Sequence, residues 1–197
     1  MNVRSVKVRV KPAFGAAIAS GAKDFLCLAA EKAEKVLIIS DDAVCKLYGQ
    51  SVKKSLGNDN LTVFTFVYSA TENGKTKYIF DKLLILMTEL DMGENDLIVA
   101  LGGGTASSLA GFAAAVYKGG VPYVNVPTTL FAMSGSCIGG EVGVDFLGRE
   151  NLLSATNYPK AVFCDTEFIK TLEHDPYSHG MAEIIRSALV GDRRVFD

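Results

Sequence analysis

The sequence of 197 residues holds no tryptophan, two histidines, four cysteines and five prolines, and neither sign of charge is in excess. Each shortage excludes something. Cys27, Cys45, Cys137 and Cys164 are scattered among apolar neighbours with no Cys-x-x-Cys spacing, so all four read as buried thiols and not as a disulfide framework or a thiolate metal site. Twenty Lys and Arg stand against 22 Asp and Glu, a formal charge of −2, which supplies no basic field for nucleic acid or an anionic membrane surface. Met1 to Lys7 shows no apolar core of a secretory signal. Two uncharged windows, Leu97 to Tyr117 and Gly119 to Gly140, have the length of a membrane span. The first contains Gly102-Gly103-Gly104 with Thr105, Ser107 and Ser108, and the second contains Pro122, Pro127 and several hydroxyls, so neither is a spanning helix. A cytoplasmic protein with no nucleic-acid and no membrane partner is the expectation.

What is present is core-forming material. Apolar residues make up 49% and charged residues 21%, a composition that folds. At about 150 residues per domain the length allows roughly one domain and a third. Glycine is unevenly spread: of 19 in the chain, 11 lie between Gly102 and Gly148, where Lys118, Glu141 and Asp145 are the charged residues. Backbone, more than side-chain charge, carries the chemistry of that stretch.

Periodicity supplies the elements. Val6 to Val10 alternates apolar and basic residues, as an edge strand with one wet face does, and a helical stretch follows from Ala16 to Ala33. Val36 to Ile39 is a buried strand ending in Ser40-Asp41-Asp42, a turn and helix cap, and the next helix presents Val44, Leu47, Tyr48 and Val52 on one face. Leu61 to Tyr68 is β-rich, Thr76 to Leu90 is an amphipathic helix, Leu97 to Leu101 is a third strand, a helix opens near Ala106, and Tyr123 to Val126 is another strand. Strands alternating with helices imply an α/β fold with a doubly wound, mostly parallel, Rossmann-like sheet. From about Asp165 the pattern turns helical, over Thr166 to Leu172 and Tyr177 to Leu189, and reads as the start of an α-helical domain cut short. The division expected is 1–165 for the α/β domain and 166–197 for the truncated helical one.

Ligands bind such sheets beyond the carboxyl ends of the strands, which singles out Ser40-Asp41, Tyr68 to Lys75, Gly102 to Ser108 and Pro127 to Thr129. Gly102-Gly103-Gly104 between a strand and a helix lets backbone N–H groups approach a phosphate. A tight turn alone explains it equally well, because the spacing is not Gly-x-Gly-x-x-Gly and no P-loop lysine is present. Thr128 and Thr129 offer two hydroxyls at a strand end, or simply an N-cap.

The order of motifs goes further. The run from Gly102 through Phe146, followed by Asn151, Tyr158-Pro159, Cys164-Asp165-Thr166 and Gly180-Met181-Ala182-Glu183-Ile184-Ile185, resembles 3-dehydroquinate synthase, with upstream support from Val36 to Gly49 and Glu72 to Lys75. The resemblance implies an N-terminal NAD-binding domain, a C-terminal helical domain, and a carbon-oxygen lyase that uses NAD transiently to eliminate phosphate from a heptulosonate phosphate and close a carbocycle in the shikimate pathway. It further implies a divalent metal, usually zinc, that polarises the oxidised oxygen. By position it assigns cofactor contacts to Asp41, Glu72, Lys75, Gly103, Gly104, Thr105, Ser108, Thr128 and Thr129, with a later contacting turn from Phe168 to Thr171. Glu183 falls on the first metal ligand. Without the resemblance, Glu72 and Lys75 are an ordinary solvated pair and Glu183 a surface residue.

Several positions depart from the family pattern. Ser108 replaces an Asp that closes the glycine-rich turn, Gly119 an Arg, Gly135 an Asp, Glu141 and Glu150 a Lys each, and Arg186 a Lys, while Asn151 is retained. The two Lys-to-Glu reversals are the severe ones: at ~4 Å and an effective dielectric near 20, each turns about 4 kcal/mol of attraction for an anion into repulsion. Lys118 and Arg149, each one position away, are candidates for partial compensation. His174 and His179 read as exposed helix or loop residues, leaving Glu183 without the further ligands that a catalytic zinc needs. The expectation is a synthase-like protein, inactive as this chain alone, that binds NAD and has the capacity to form a homodimer. The alternatives are a degenerate nucleotide-binding or interaction module, and another sugar-phosphate cyclase.

Overall fold

Alternation along a strand sends neighbouring side chains to opposite faces, and the central strands obey it closely. In the computed structural model, which describes residues 7–11, 33–56, 61–70 and 74–191, Leu37 and Ile39 pack on one side of the sheet and Val36 and Ile38 on the other. The strands are β1 (Lys7–Lys11), β2 (Lys35–Asp41), β3 (Thr62–Tyr68), β4 (Leu97–Gly102), β5 (Tyr123–Pro127), β6 (Glu141–Phe146), β7 (Arg149–Thr156) and β8 (Ala161–Asp165). Six of them form one sheet in the order β1-β8-β5-β4-β2-β3, and every pairing in it is parallel. β6 and β7 make a separate antiparallel hairpin.

Helices cover both faces. α1 is a run built from Asp42–Val44, a π-helical turn Cys45–Gly49, and Gln50–Ser55; its Tyr48 and Val52 meet Val36 and Ile38. The opposite face is covered by α2 (Lys77–Glu89), α3 (Gly104–Val116) and the hairpin. A short 3-10 turn, Thr166–Thr171, leads into α4 (His174–Val190). The parallel, doubly wound arrangement expected from the alternation is therefore present, with β1 at the sheet edge. The helix expected from Ala16 to Ala33 lies outside the described residues except for Ala33, which is not helical.

Two differences from the expected elements have physical causes. Leu47 does not join the buried face of α1; it is 60% exposed, because the π-helical turn carries one extra residue per loop of backbone and rotates the face. The hairpin and β8 were not expected as strands. Val142 and Val144 do alternate with polar or small residues, but β7 is exposed along most of its length and has little apolar signal. The hairpin is fixed on α3 by polar contacts: the Ser108 hydroxyl donates to the Gly143 carbonyl at 2.8 Å and accepts from the Gly143 N–H at 2.9 Å, and Asn157 Nδ2 donates to the Gly111 carbonyl at 3.0 Å. A side chain on Gly111 would overlap Val142.

One buried carboxylate closes the amino-terminal side of the sheet. Asp96, 6% exposed, accepts from the backbone N–H groups of Glu34, Lys35 and Gly93 at 3.1, 2.8 and 2.7 Å. Among the described residues no helix is long and apolar enough to cross a membrane.

Candidate functional site

In sequence order the chain goes from β2 outward to β3, then returns to place β4 on the other side of β2. The carboxyl ends of β2 and β4 therefore flank the switch point where open α/β sheets bind ligands. β2 ends in Asp41 and β4 in Gly102. Asp41 Oδ1 accepts from the Val44 N–H at 2.8 Å and so caps α1, as the cap expected from Ser40-Asp41-Asp42 requires. Asp41 Oδ2 faces the glycine turn, 3.6 Å from where a Cβ on Gly102 would stand. The charge of Asp41 is felt locally: burial first and Asp41 second push the hydroxyl of Tyr68 and the thiol of Cys45 upward in pKa.

The glycine turn runs straight into α3. Gly103 is its N-cap, no side chain caps the helix, and no acidic residue occupies the first turn. The first N–H groups thus lack a side-chain acceptor and point to the end of β4. There is no room for bulk there: a Cβ on Gly103 would lie 3.2 Å from Thr129 Cγ2, and one on Gly104 would lie 3.4 Å from Ser136 Oγ. The adjoining strand end brings in the two threonines. Thr129 Oγ1 accepts from the Ala132 N–H at 3.2 Å, so this residue is a cap, whereas the buried Thr128 hydroxyl has no hydrogen-bond partner. Buried hydroxyls are ordinarily satisfied, and Thr128 is the one of the pair left over.

A cavity of about 1100 Å³ opens between α3, the hairpin, the 132–139 segment and α4. Gly104, Ser108 and Gly135 line it, as do Glu141, Asn151 and the pair Glu183 and Arg186. Lys75 also lines it, held by Asn151 Oδ1 at 3.2 Å and Asp145 Oδ1 at 3.5 Å. Asp145 Oδ1 in turn accepts from the Asn151 N–H at 2.8 Å. Glu183 is clasped by Arg186 one turn on: Arg186 Nε donates to Oε2 at 2.9 Å, and a second guanidinium nitrogen donates to Oε1. That hydrogen-bonded cation holds the Glu183 carboxyl below its ordinary pKa, and the carboxylate raises that of Arg186.

A Cβ on Gly135 would lie 3.8 Å from Glu183 Oε1, so Gly135 does open the cavity where the family pattern has a carboxylate. Gly119 has a different job. It lies beyond the carboxyl end of α3, at the sheet's amino-terminal side, where its φ of +80° follows Lys118 at +47°; this left-handed backbone is one that glycine adopts without strain. Glu150 lines a second cavity of about 390 Å³ with Lys77 and Arg149, so the two Lys-to-Glu reversals do not share one cavity. Nor do the proposed compensations reach the larger one, since Lys118 pairs with Asp91 at 3.3 Å.

Other expected site residues separate. Glu72 lies outside the described residues. Thr105 stands in the first turn of α3. The Phe168 side chain is fully buried against Tyr48, ring centroids 4.6 Å apart, on the sheet face opposite the hairpin, so the 166–171 turn is anchored in the core and only its backbone and its other side chains are free to meet a ligand. The Thr171 hydroxyl bonds that of Tyr48. His174 and His179 are both exposed, as expected. Among the described residues no group of three His, Cys, Asp or Glu is placed to hold a metal. Cys137 and Cys164 are buried as expected, their thiols raised by burial to about 12 and about 11, while Cys45 is only half-buried and Cys27 lies outside the described residues. The part of the site that sequence reasoning missed is the polar knot of Lys75 with Asp145; the alternation of Val142, Val144 and Phe146 was the signal for the strand that carries it.

Comparison with known proteins agrees with this geometry. A family profile described as 3-dehydroquinate synthase N-terminal matches residues 65–179. The chain is 34% identical over 175 residues to a 3-dehydroquinate synthase of Prochlorococcus marinus, covering 89% of this chain and 48% of that protein. It is 38% identical over 163 residues to one of Clostridium acetobutylicum, covering 83% and 46%. The chain thus spans about half the length of the curated relatives it matches. Among solved structures, ValA, a 2-epi-5-epi-valiolone synthase from Streptomyces hygroscopicus with NAD+ and Zn2+ bound, superposes with a TM-score of 0.84 at 29% identity, covering 100% of this chain and 53% of that one. A 2-deoxy-scyllo-inosose synthase, at 22% identity and a TM-score of 0.80 over 92% of this chain and 49% of its own, shares the fold.

Proposed function

The chain belongs to the 3-dehydroquinate synthase family, and from that premise we propose that it is the NAD-binding part of a 3-dehydroquinate synthase-like protein. The observation that carries this reading is the meeting of Asp41 Oδ2 and the uncapped start of α3 at the glycine turn, where Thr129 approaches Gly103 and the Thr128 N–H donates to the Gly102 carbonyl at 3.0 Å. These groups fit a dinucleotide. The N–H groups of Gly104 and Thr105 would hold the pyrophosphate at the helix N-terminus, and Asp41 Oδ2 would accept from a ribose hydroxyl. The close approach of Thr129 to Gly103 keeps side chains out of the pyrophosphate position. NAD+, when bound, supplies a hydride acceptor for the oxidation of a hydroxyl-bearing carbon. Lys75 is oriented by Asp145 and Asn151 toward the larger cavity, on the substrate side of the crevice.

The described residues do not by themselves fit a zinc site. Glu183 is the one family ligand among them, and both its oxygens are occupied by Arg186, so no step is assigned to a metal here. On this reading the residues from Thr166 begin the helical part, and elimination of phosphate from a heptulosonate phosphate belongs to the longer architecture of the relatives and not to this chain alone. A cytoplasmic location and homodimerisation rest on the family resemblance.

Calorimetric titration of the chain with NAD+, with phosphate release from the heptulosonate phosphate followed in parallel, tests the reading. Saturable NAD+ binding without phosphate release supports it. Absence of NAD+ binding overturns it, and phosphate release by this chain alone overturns the assignment of catalysis to the longer architecture.

A further inference from the structure

The larger cavity contains four ionisable residues whose commitments differ. Lys75 is answered by Asp145 at 3.5 Å and by Asn151. Arg186 is answered by Glu183 through two nitrogens. Glu141, at the start of β6, is exposed to the cavity. Among the described lining residues, then, both cations are spent on carboxylates that already face them, and the charge not balanced by a neighbour is negative. Thr156 pairs with Glu141 across the hairpin, and elsewhere the same wall carries Ser136 and Asn151, hydrogen-bonding groups that suit hydroxyls and do nothing to neutralise an anion.

We propose that Glu141 is a specificity-determining residue that makes the large cavity accept a polyhydroxylated ligand whose inward end bears hydrogen-bond donors and no negative charge, and reject one that presents a phosphate there. This rests on reading the cavity as the substrate side of the nucleotide crevice. A carboxylate accepts from hydroxyl or ammonium donors, and with an ammonium the bond is charge-assisted and stronger. A phosphate at the same place meets a like charge without a free cation to offset it. Because Glu141 is reached by solvent the effect is screened, but a single charge pair under such conditions still amounts to about tenfold in affinity. The family's phosphate-eliminating chemistry would then need its phosphate held elsewhere, and a ligand lacking phosphate at this end is the better match.

The test uses the full chain and two ligands with one ring and opposite charge, protonated glucosamine and glucose 6-phosphate, titrated at about pH 6 and followed by the backbone amide signals of Ser136, Gly139 and Asn151. Glucosamine should half-saturate those shifts at a concentration ~10-fold or more below that of glucose 6-phosphate. Glu141→Gln should erase the preference and Glu141→Lys should reverse it, with thermal melting of both variants showing that they are folded. Equal or tighter binding of glucose 6-phosphate to the unaltered chain overturns the proposal, as does a failure of glucosamine to shift these signals, or a preference that survives Glu141→Gln. NAD+ added to the same samples separates the two readings: loss of NAD+ binding refutes the nucleotide assignment, whereas the charge order of the two sugars judges Glu141.

Discussion

Gly180 sits inside α4, where helix propensity alone says that alanine should be better by about 1 kcal/mol. The packing predicts the opposite sign. A Cβ at this position would stand 2.5 Å from Leu130 Cβ and 2.7 Å from the Phe131 backbone nitrogen, against ordinary carbon contacts of ~3.5–4 Å. Relief needs α4 to retreat by roughly 1 Å, and one of the three atoms in the way is main chain, which cannot swing aside as a side chain does. Overpacking of this kind costs about 1–3 kcal/mol, and overlap with main chain places this site at roughly 2–3, so after the helix-propensity gain Gly180→Ala should be destabilising by a net ~1–2 kcal/mol. For a chain of this length that lowers Tm by roughly 3–6 °C. The same retreat carries Glu183 and Arg186, three and six residues further along α4, away from the 132–136 turn. Differential scanning calorimetry reads the first effect, and the amide shifts of Gly135 and Ser136 read the second. A Gly180→Ala chain that melts at or above the parent would refute the close-packing argument and leave helix propensity as the controlling term.

Asp96→Ala strips an acceptor from three backbone N–H groups in a 6% exposed site; it should cost about 2–4 kcal/mol in urea unfolding, and a loss below ~1 kcal/mol contradicts the assignment. Cys137 and Cys164, with thiols at about 12 and about 11, should resist a thiol reagent near pH 8 until urea is added, while half-buried Cys45 reacts before both of them by site-resolved mass spectrometry. Because both folded pKa values exceed the ordinary 9.0, their contribution to stability is intact below pH 9 and is lost as pH rises through them, so urea midpoints should fall over that alkaline window. Arg186→Ala removes the cation that lowers the Glu183 carboxyl, and carbon-detected titration should show it rising toward its ordinary 4.5; an unchanged value means that the clasp is absent in solution.

The central α/β frame was legible because burial there is two-sided and repetitive. Val36 to Ile39 and Leu97 to Leu101 are continuous apolar runs that only a covered parallel sheet can bury, and Asp41 announced its cap by residue type. The hairpin was harder to read because its hold on α3 is made by Ser108, Asn157 and the bare surface of Gly111, contacts that leave no periodic trace. The site divides in the same way. The glycine turn, Asp41 and the threonine pair are local features at strand ends and could be read in order along the chain. Whether a charge is spent is not local. Lys75 meets Asp145 across 70 residues of sequence, Arg186 takes the oxygens of Glu183, and Glu150 points to a different cavity from Glu141, so the sequence could count the altered charges but not say which ones face one another. Gly119 adds a term that the charge count could not show, a left-handed backbone of φ +80° at the position of the altered residue.

The central claim is a dinucleotide seated at the β2–β4 switch point. Amide-resolved NMR of the chain titrated with NAD+ addresses it most directly. The account predicts saturable shifts centred on Gly103, Gly104 and Thr105, extending to Asp41 and Thr128 and abolished by Gly103→Val, which would fill the space before Thr129. Shifts confined to other parts of the chain, or none at saturating NAD+, would contradict it.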